Sequence, residues 1–110
     1  MTNHLDHPIL SEFSEIDKLI HEPARLAVMA LLYVVESADF TFIINQTSLT
    51  YGNLSAHISK LESAGYVELQ KGYKAKRPNT TLKLTPLGRK SFNDYVRMMQ
   101  QMFGDFPTKK

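Results

Sequence analysis

The sequence predicts a mainly α-helical domain carrying one small β-hairpin, and three observations point to it. Apolar residues recur at three- and four-residue steps as far as Leu61, the spacing of helices with one buried face. After Gly65 the pattern changes to alternation: Val67 and Leu69 against Glu68 and Gln70, then Leu82 and Leu84 against Lys83 and Thr85, as in half-buried strands. Helical spacing returns after Pro86 and runs to about Phe103. A chain of 110 residues fits one domain, burying roughly two-thirds of its unfolded surface. Residues 1–8 and 104–110 are expected to be mobile tails.

The elements follow in order. Ile9, Phe13, Ile16 and Ile20 mark a first amphipathic helix, punctuated by His21-Glu22-Pro23 because Pro23 disfavours helical geometry at Glu22. A second helix opens with Pro23 in its first turn and runs to about Ser37. It is apolar almost all round (Leu26, Ala27, Val28, Ala30, Leu31, Leu32, Val34, Val35), which places it in the middle of a core. Asp39 or Thr41 can cap a short third helix over residues 40–46, with Phe40, Ile43 and Ile44 inward. Residues 47–50 form a turn, and Thr50 is the N-cap of a fourth helix reaching about Ala64, its buried stripe being Leu54, Ile58 and Leu61. Gly65 supplies a left-handed terminator before Tyr66 and Val67. Two strands surround a basic turn at Pro78-Asn79. Thr85 as N-cap and Pro86 at the first helical position open the last helix.

Charge is unevenly distributed. Residues 50–90 hold eight Lys/Arg (Lys60, Lys71, Lys74, Lys76, Arg77, Lys83, Arg89, Lys90) against Glu62 and Glu68. The first 49 residues hold Lys18 and Arg25 against seven acids. An overall charge of +2 thus hides a segment at +6 beside one at −5. There is no cysteine, which excludes disulfides, thiolate metal sites and a cysteine nucleophile. No signal-peptide pattern opens the chain, and the longest apolar run, Ala27 to Val35, is about half a membrane span. A soluble, cytoplasmic protein is expected. His4 and His7 are a poor metal pair in a polar tail, and no metal or other cofactor is expected. His21 and His57 suit packing or a phosphate contact. No nucleophile, base and orienter can be assembled and no glycine-rich phosphate loop is present, so the chain does not read as an enzyme.

The stretch from His21-Glu22-Pro23-Ala24-Arg25, through Leu54-Ser55-Ala56-His57-Ile58-Ser59-Lys60-Leu61-Glu62-Ser63-Ala64-Gly65-Tyr66-Val67, to Thr85-Pro86-Leu87-Gly88 resembles winged-helix transcriptional regulators. Within them it is most similar to the small single-domain group related to MarR- and ArsR-like repressors. The resemblance covers about residues 18–103 and implies a winged helix-turn-helix with N- and C-terminal flanking helices. The cysteine-bearing helices of ArsR-like metal sensors have no counterpart here, so their metal chemistry does not carry over.

The residues support the same reading independently. A helix in a major groove must present small or polar side chains. With Leu54, Ile58 and Leu61 inward, about 100° per residue turns Gly52, Ala56, Ser59 and Ser63 outward, flanked by Asn53, Ser55 and Lys60. Thr50, Tyr51, Gly52, Asn53, Ser55, Ala56, Ser59 and Lys60 are therefore the candidate base-reading set. Gly52 and Ala56 allow close approach, Asn53 matches adenine, and Lys60 can reach guanine or phosphate. Lys71, Lys74, Lys76, Arg77, Asn79 and Thr80 form the candidate wing contact, the lysines on phosphates and Arg77 in a minor groove. The alternatives are a solvated helix face and basic edge strands that merely oppose aggregation.

Surplus apolar surface suggests pairing. Phe13 and Ile16 on the first helix, with Phe92, Tyr95, Val96, Met99, Met102 and Phe103 on the last, form a candidate homodimer interface. A two-fold dimer would set two recognition helices about 34 Å apart on double-stranded DNA. The alternative is that this stripe folds onto its own core. Two other functions stay open: a winged helix docking an acidic protein partner, and a switch holding a small-molecule effector between core and dimer helices.

Overall fold

The computed structural model describes residues 13–104, 106 and 107. The expected tail at 1–8, with His4 and His7, lies outside the described residues, as do residues 9–12 of the first expected helix and residues 105 and 108–110. Among the described residues the fold consists of four α-helices and a three-stranded antiparallel sheet: α1 (Pro23–Val35), β1 (Ala38–Asp39), α2 (Phe40–Thr47), α3 (Tyr51–Ser63), β2 (Val67–Lys74), β3 (Arg77–Leu84) and α4 (Pro86–Gly104). The sheet order is β1-β3-β2.

The helix expected through Ile20 does not extend across the described residues. Phe13–Glu15 form one 3-10 turn. The Asp17 carboxylate then accepts from the Leu19 and Ile20 amides at 3.0 and 3.2 Å, an Asx-type bond that competes with regular helix. Glu22 caps α1, its side chain accepting from the Ala24 and Arg25 amides, with Pro23 beginning the helix. The helix stops at Val35, two residues before the expected Ser37, because Glu36 takes a positive φ of 67°. Asp39 caps α2 through the Phe42 amide at 2.8 Å, and Thr50 caps α3 through the Asn53 amide at 3.1 Å.

At the far end of α3, Gly65 adopts φ 80°. Its amide donates to the Glu62 carbonyl and the Tyr66 amide to the Leu61 carbonyl, both at 2.9 Å. This paired closure needs a left-handed residue, which glycine supplies. Thr85 joins that corner to α4. Its amide donates to the Tyr66 carbonyl at 3.0 Å, its hydroxyl donates to the Gly65 carbonyl, and the same oxygen accepts from the Gly88 amide at 2.9 Å. Gly88 sits so close to Tyr66 that an added Cβ would lie 1.9 Å from the Tyr66 carbonyl oxygen.

The core lies between the helices and one sheet face. Val28, Met29 and Leu32 of α1, Ile43 of α2, Leu54, Ile58 and Leu61 of α3, and Val67, Leu82 and Leu84 of the sheet are buried together with Ile20. Phe92 and Tyr95 of α4 belong to the same cluster. The opposite face of α1 is also apolar. Pro23, Leu26, Ala27, Ala30 and Val34 share an arc of roughly 100°, and Val34 is 78% exposed. Part of this face, with His21 and Glu22, lines a recess of about 460 Å³. No helix among the described residues is long and apolar enough to cross a membrane.

The hairpin turn lies at Ala75–Lys76, not at Pro78-Asn79. The register runs from Val67 opposite Leu84 to Lys74 opposite Arg77, and Ala75 and Lys76 both take positive φ, 52° and 66°. That is the left-handed two-residue turn favoured by strand twist. Pro78 is paired with Tyr73. In a two-residue hairpin the closing pair exchanges hydrogen bonds, so the next pair does not. The nitrogen of Pro78 therefore faces the open edge beyond short β1, where no donor is required.

Candidate nucleic-acid interface

The outward face of α3 is built of small and polar groups. Tyr51, Gly52, Asn53, Ala56, Ser59 and Lys60 are exposed and Ser55 is half-buried, while Leu54, Ile58 and Leu61 hold the opposite face in the core. A Cβ at Gly52 would meet nothing within 4 Å, so the glycine there serves no internal packing. Thr50 is occupied by its capping bond.

The hairpin meets α3 through a short series of contacts. Lys74 Nζ lies 3.5 Å from an Asp39 oxygen, and the other Asp39 oxygen caps α2. Phe40, the first residue of α2, packs its ring against Tyr51, the first of α3, at 5.3 Å between centroids. The far half of the hairpin and the N-terminal end of α3 thus share one end of the molecule. The Asp39 carboxyl is held below the ordinary aspartate range, first by the Phe42 amide and then, against desolvation, by Lys74 and Asn79. Of the expected wing contacts, Lys74 and Asn79 are therefore partly committed to fixing the hairpin on α2.

The basic segment resolves into engaged and free cations. Lys83 pairs with Glu68 at 3.2 Å, Lys90 with Asp94 at 2.8 Å, and Arg89 lies 4.7 Å from the centre of the Tyr33 ring. Lys60, Lys71, Lys76 and Arg77 are exposed and have no ion-pair partner among the described residues. All four lie on α3 or the hairpin. Thr80 is half-buried beside Lys71.

His57 is turned toward the N-terminal end of α1. Its Nδ1 lies 3.1 Å from the Arg25 guanidinium and its Nε2 3.6 Å from Glu22. Arg25 Nε donates to the Leu19 carbonyl at 2.6 Å, so this cluster ties α3 to the N-terminal cap of α1. Burial pushes the Glu22 pKa up, but the Ala24 amide, His57 and Arg25 outweigh it and hold the carboxyl below its ordinary range. His21 Nδ1 pairs with the Tyr95 hydroxyl at 2.7 Å. Among the described residues no cluster of three or more His, Asp or Glu is arranged for a metal.

The residues proposed for pairing divide in two. Phe92, Tyr95 and Met102 are buried within the chain's own interior. Val96, Met99, Phe13 and Ile16 are half-buried, and Phe103 is 57% exposed. Sequence reasoning passed over Tyr73, an aromatic ring 81% exposed on the hairpin, whose signal was its position between Lys71 and Lys74.

A helix-turn-helix whose second helix shows a small polar face, followed by a basic hairpin, defines a winged helix. Residues 24–103 match the winged-helix DNA-binding domain family, and the chain belongs to it. It is 35% identical over 85 residues to an uncharacterised protein of Methanocaldococcus jannaschii, across 77% of this chain and 92% of that one. The structure of a transcriptional regulator homologue from Pyrococcus horikoshii OT3 superposes with a TM-score of 0.80 at 30% identity, covering 87% of this chain and 99% of that one. Apo MarR from E. coli has a TM-score of 0.64 at 16% identity, over 98% and 89% of the two chains, and so shares the fold. The class is that of winged-helix DNA-binding domains.

Proposed function

We propose that this protein regulates transcription as a homodimer on a near-palindromic duplex, with α3 in the major groove and the β2–β3 wing on the flanking backbone. The observation that carries this reading is the placement of the free cations. Lys60 lies on the helix face made of Gly, Ala, Ser and Asn, and Lys71, Lys76 and Arg77 lie on the hairpin that follows it, while Lys83 and Lys90 are paired with Glu68 and Asp94. A helix face without bulk can approach base edges, and cations beside it can displace phosphate counterions. Asn53, Ser55, Ser59 and Lys60 would read bases. Lys71, Lys76, Arg77 and Thr80 would hold the backbone, with Lys74 and Asn79 steadying the wing through Asp39.

Pairing of two copies draws on the apolar groups that one copy leaves partly uncovered, namely Val96, Met99 and Phe103 of α4 with Phe13 and Ile16. Phe92, Tyr95 and Met102, already inside, are left out of it. A cytoplasmic location is proposed with this role.

The test is selection of bound duplexes from a random pool at about 150 mM salt, where non-specific phosphate binding is suppressed. An enriched inverted repeat with half-sites one helical turn apart is expected. A folded protein that enriches nothing, yet captures an acidic protein that duplex DNA cannot displace, would replace this reading with the protein-docking one.

A further inference from the structure

The wing carries an uncharged group that the phosphate-binding role leaves unexplained. Tyr73 is 81% exposed, and its neighbour across the hairpin is Pro78. This is the non-hydrogen-bonded pair next to the turn, in which side chains stand closest. A large ring and a rigid pyrrolidine are thus held side by side on the hairpin's outer end. Along its strand Tyr73 is flanked by Gly72 and Lys74, whose positions alternate to the opposite face of the hairpin, and the ring is left largely uncovered.

The direction follows from strand alternation. Val67 and Leu69 of β2, opposite Leu84 and Leu82 of β3, are on the face that packs against the helices. Two and four residues further out the same face carries Lys71 opposite Thr80 and Tyr73 opposite Pro78. The core-facing row therefore continues past the helical layer as a cation and then an apolar pair. It does so at the end of the molecule where Asp39, Phe40 and Tyr51 link the wing to the start of α3. From residue 69 to residue 80 the hairpin holds no acid, so nothing there repels a polyanion.

Resting on the DNA-binding reading above, we propose that Tyr73 and Pro78 form an apolar wedge that packs into the minor groove beside each half-site. Lys71, Lys76 and Arg77 would draw the wing to the phosphates. The ring and pyrrolidine would then bury against the sugar walls and base edges, in the groove where other minor-groove proteins insert apolar side chains between base steps. Such a contact releases no counterion. It adds affinity that salt does not remove, and it favours flanking steps that deform easily.

The experiment compares wild type, Tyr73→Ala, Tyr73→Phe and Lys76→Ala on the selected duplex across a salt series. Tyr73→Ala is expected to bind roughly tenfold more weakly, within the range found for aromatic contacts to bases, on a line parallel to wild type in log affinity against log salt. Tyr73→Phe should keep wild-type affinity. Lys76→Ala should instead flatten the slope by about one phosphate contact. Because the ring is exposed, thermal unfolding of the two tyrosine variants should match wild type. Unchanged affinity in Tyr73→Ala would overturn the wedge. A Tyr73→Phe variant as weak as Tyr73→Ala would overturn it too, since the hydroxyl would then be the contact. A flattened slope in Tyr73→Ala would show that the ring only positions lysines. Failure of the wild type to select any duplex is a separate result, seen before any variant is made, and counts against the DNA-binding reading itself.

Discussion

Replacing Gly88 by alanine sets two effects against each other, and the structure decides the sign. In a helix interior alanine is favoured over glycine by about 1 kcal/mol, so propensity alone predicts a more stable protein. The new Cβ, however, would lie 1.9 Å from the Tyr66 carbonyl oxygen and 2.7 Å from its carbon. Relief requires a retreat of about an ångström, and the obstacle is backbone rather than a side chain that can swing away. Moving α4 also pulls Thr85 from the Tyr66 and Gly65 carbonyls that it binds. Overpacking costs typically about 1–3 kcal/mol, and a backbone clash with two anchoring bonds belongs at or above the upper end. The net expectation for Gly88→Ala is a loss of roughly 2 kcal/mol or more. In a domain of this size that lowers Tm by roughly 8–16 °C. Thermal and urea unfolding at one fixed protein concentration, which removes any contribution from association, would measure it. A Tm equal to or above wild type would refute the packing of α4 on Tyr66.

Further outcomes follow from the same geometry. Gly52→Ala should raise Tm slightly, since the site is open and helical, by up to about 1 kcal/mol, while weakening binding to the selected duplex; unchanged binding would remove α3 from the groove. Ala75→Asn with Lys76→Gly should stabilise the hairpin by about 1 kcal/mol, because both positions hold positive φ that those residues accept more readily. Urea unfolding checks this, and a loss of stability would refute the turn. Asp39 has a folded pKa below its unfolded value. Its contribution is therefore present above the unfolded pKa and is lost as pH falls through the folded one. Asp39→Asn keeps an N-cap oxygen but cannot titrate, so its stability should fall less than wild type between pH 5 and lower values; parallel acid limbs in the two proteins would contradict that.

Much of the fold was legible because its signals are local. Thr50, Gly65, Thr85 and Pro86 each act on backbone groups within a few residues, and Leu54, Ile58 and Leu61 define their face by spacing alone. β1 was not legible, since two residues carry no alternation and its existence depends on Leu82 and Thr81 being opposite. The hairpin turn was misplaced for a related reason. Pro78-Asn79 has turn composition, but the apolar pairs Val67–Leu84 and Leu69–Leu82 must both face the core, and their register centres the turn on Ala75–Lys76. The expected first helix was read from apolar spacing that Asp17 overrides locally with its own side-chain bonds.

At the site, spacing identified the outward face of α3 but could not sort the cations. Lys74 and Lys71 look alike in sequence, and only the fold brings Asp39 to one of them. The stripe on α4 shows the same limit. Helical periodicity finds an apolar face, whereas which core covers Phe92 and Tyr95 is a tertiary fact.

The division of labour between α3 and the wing is tested most directly by measuring Asn53→Ala and Lys76→Ala against both the selected duplex and a scrambled one. Asn53→Ala should relax preference at one base position by about 1–3 kcal/mol and leave scrambled DNA nearly unaffected, while Lys76→Ala should weaken both duplexes alike. Equal losses on both duplexes for both variants would contradict the assignment of base reading to α3 and backbone binding to the wing.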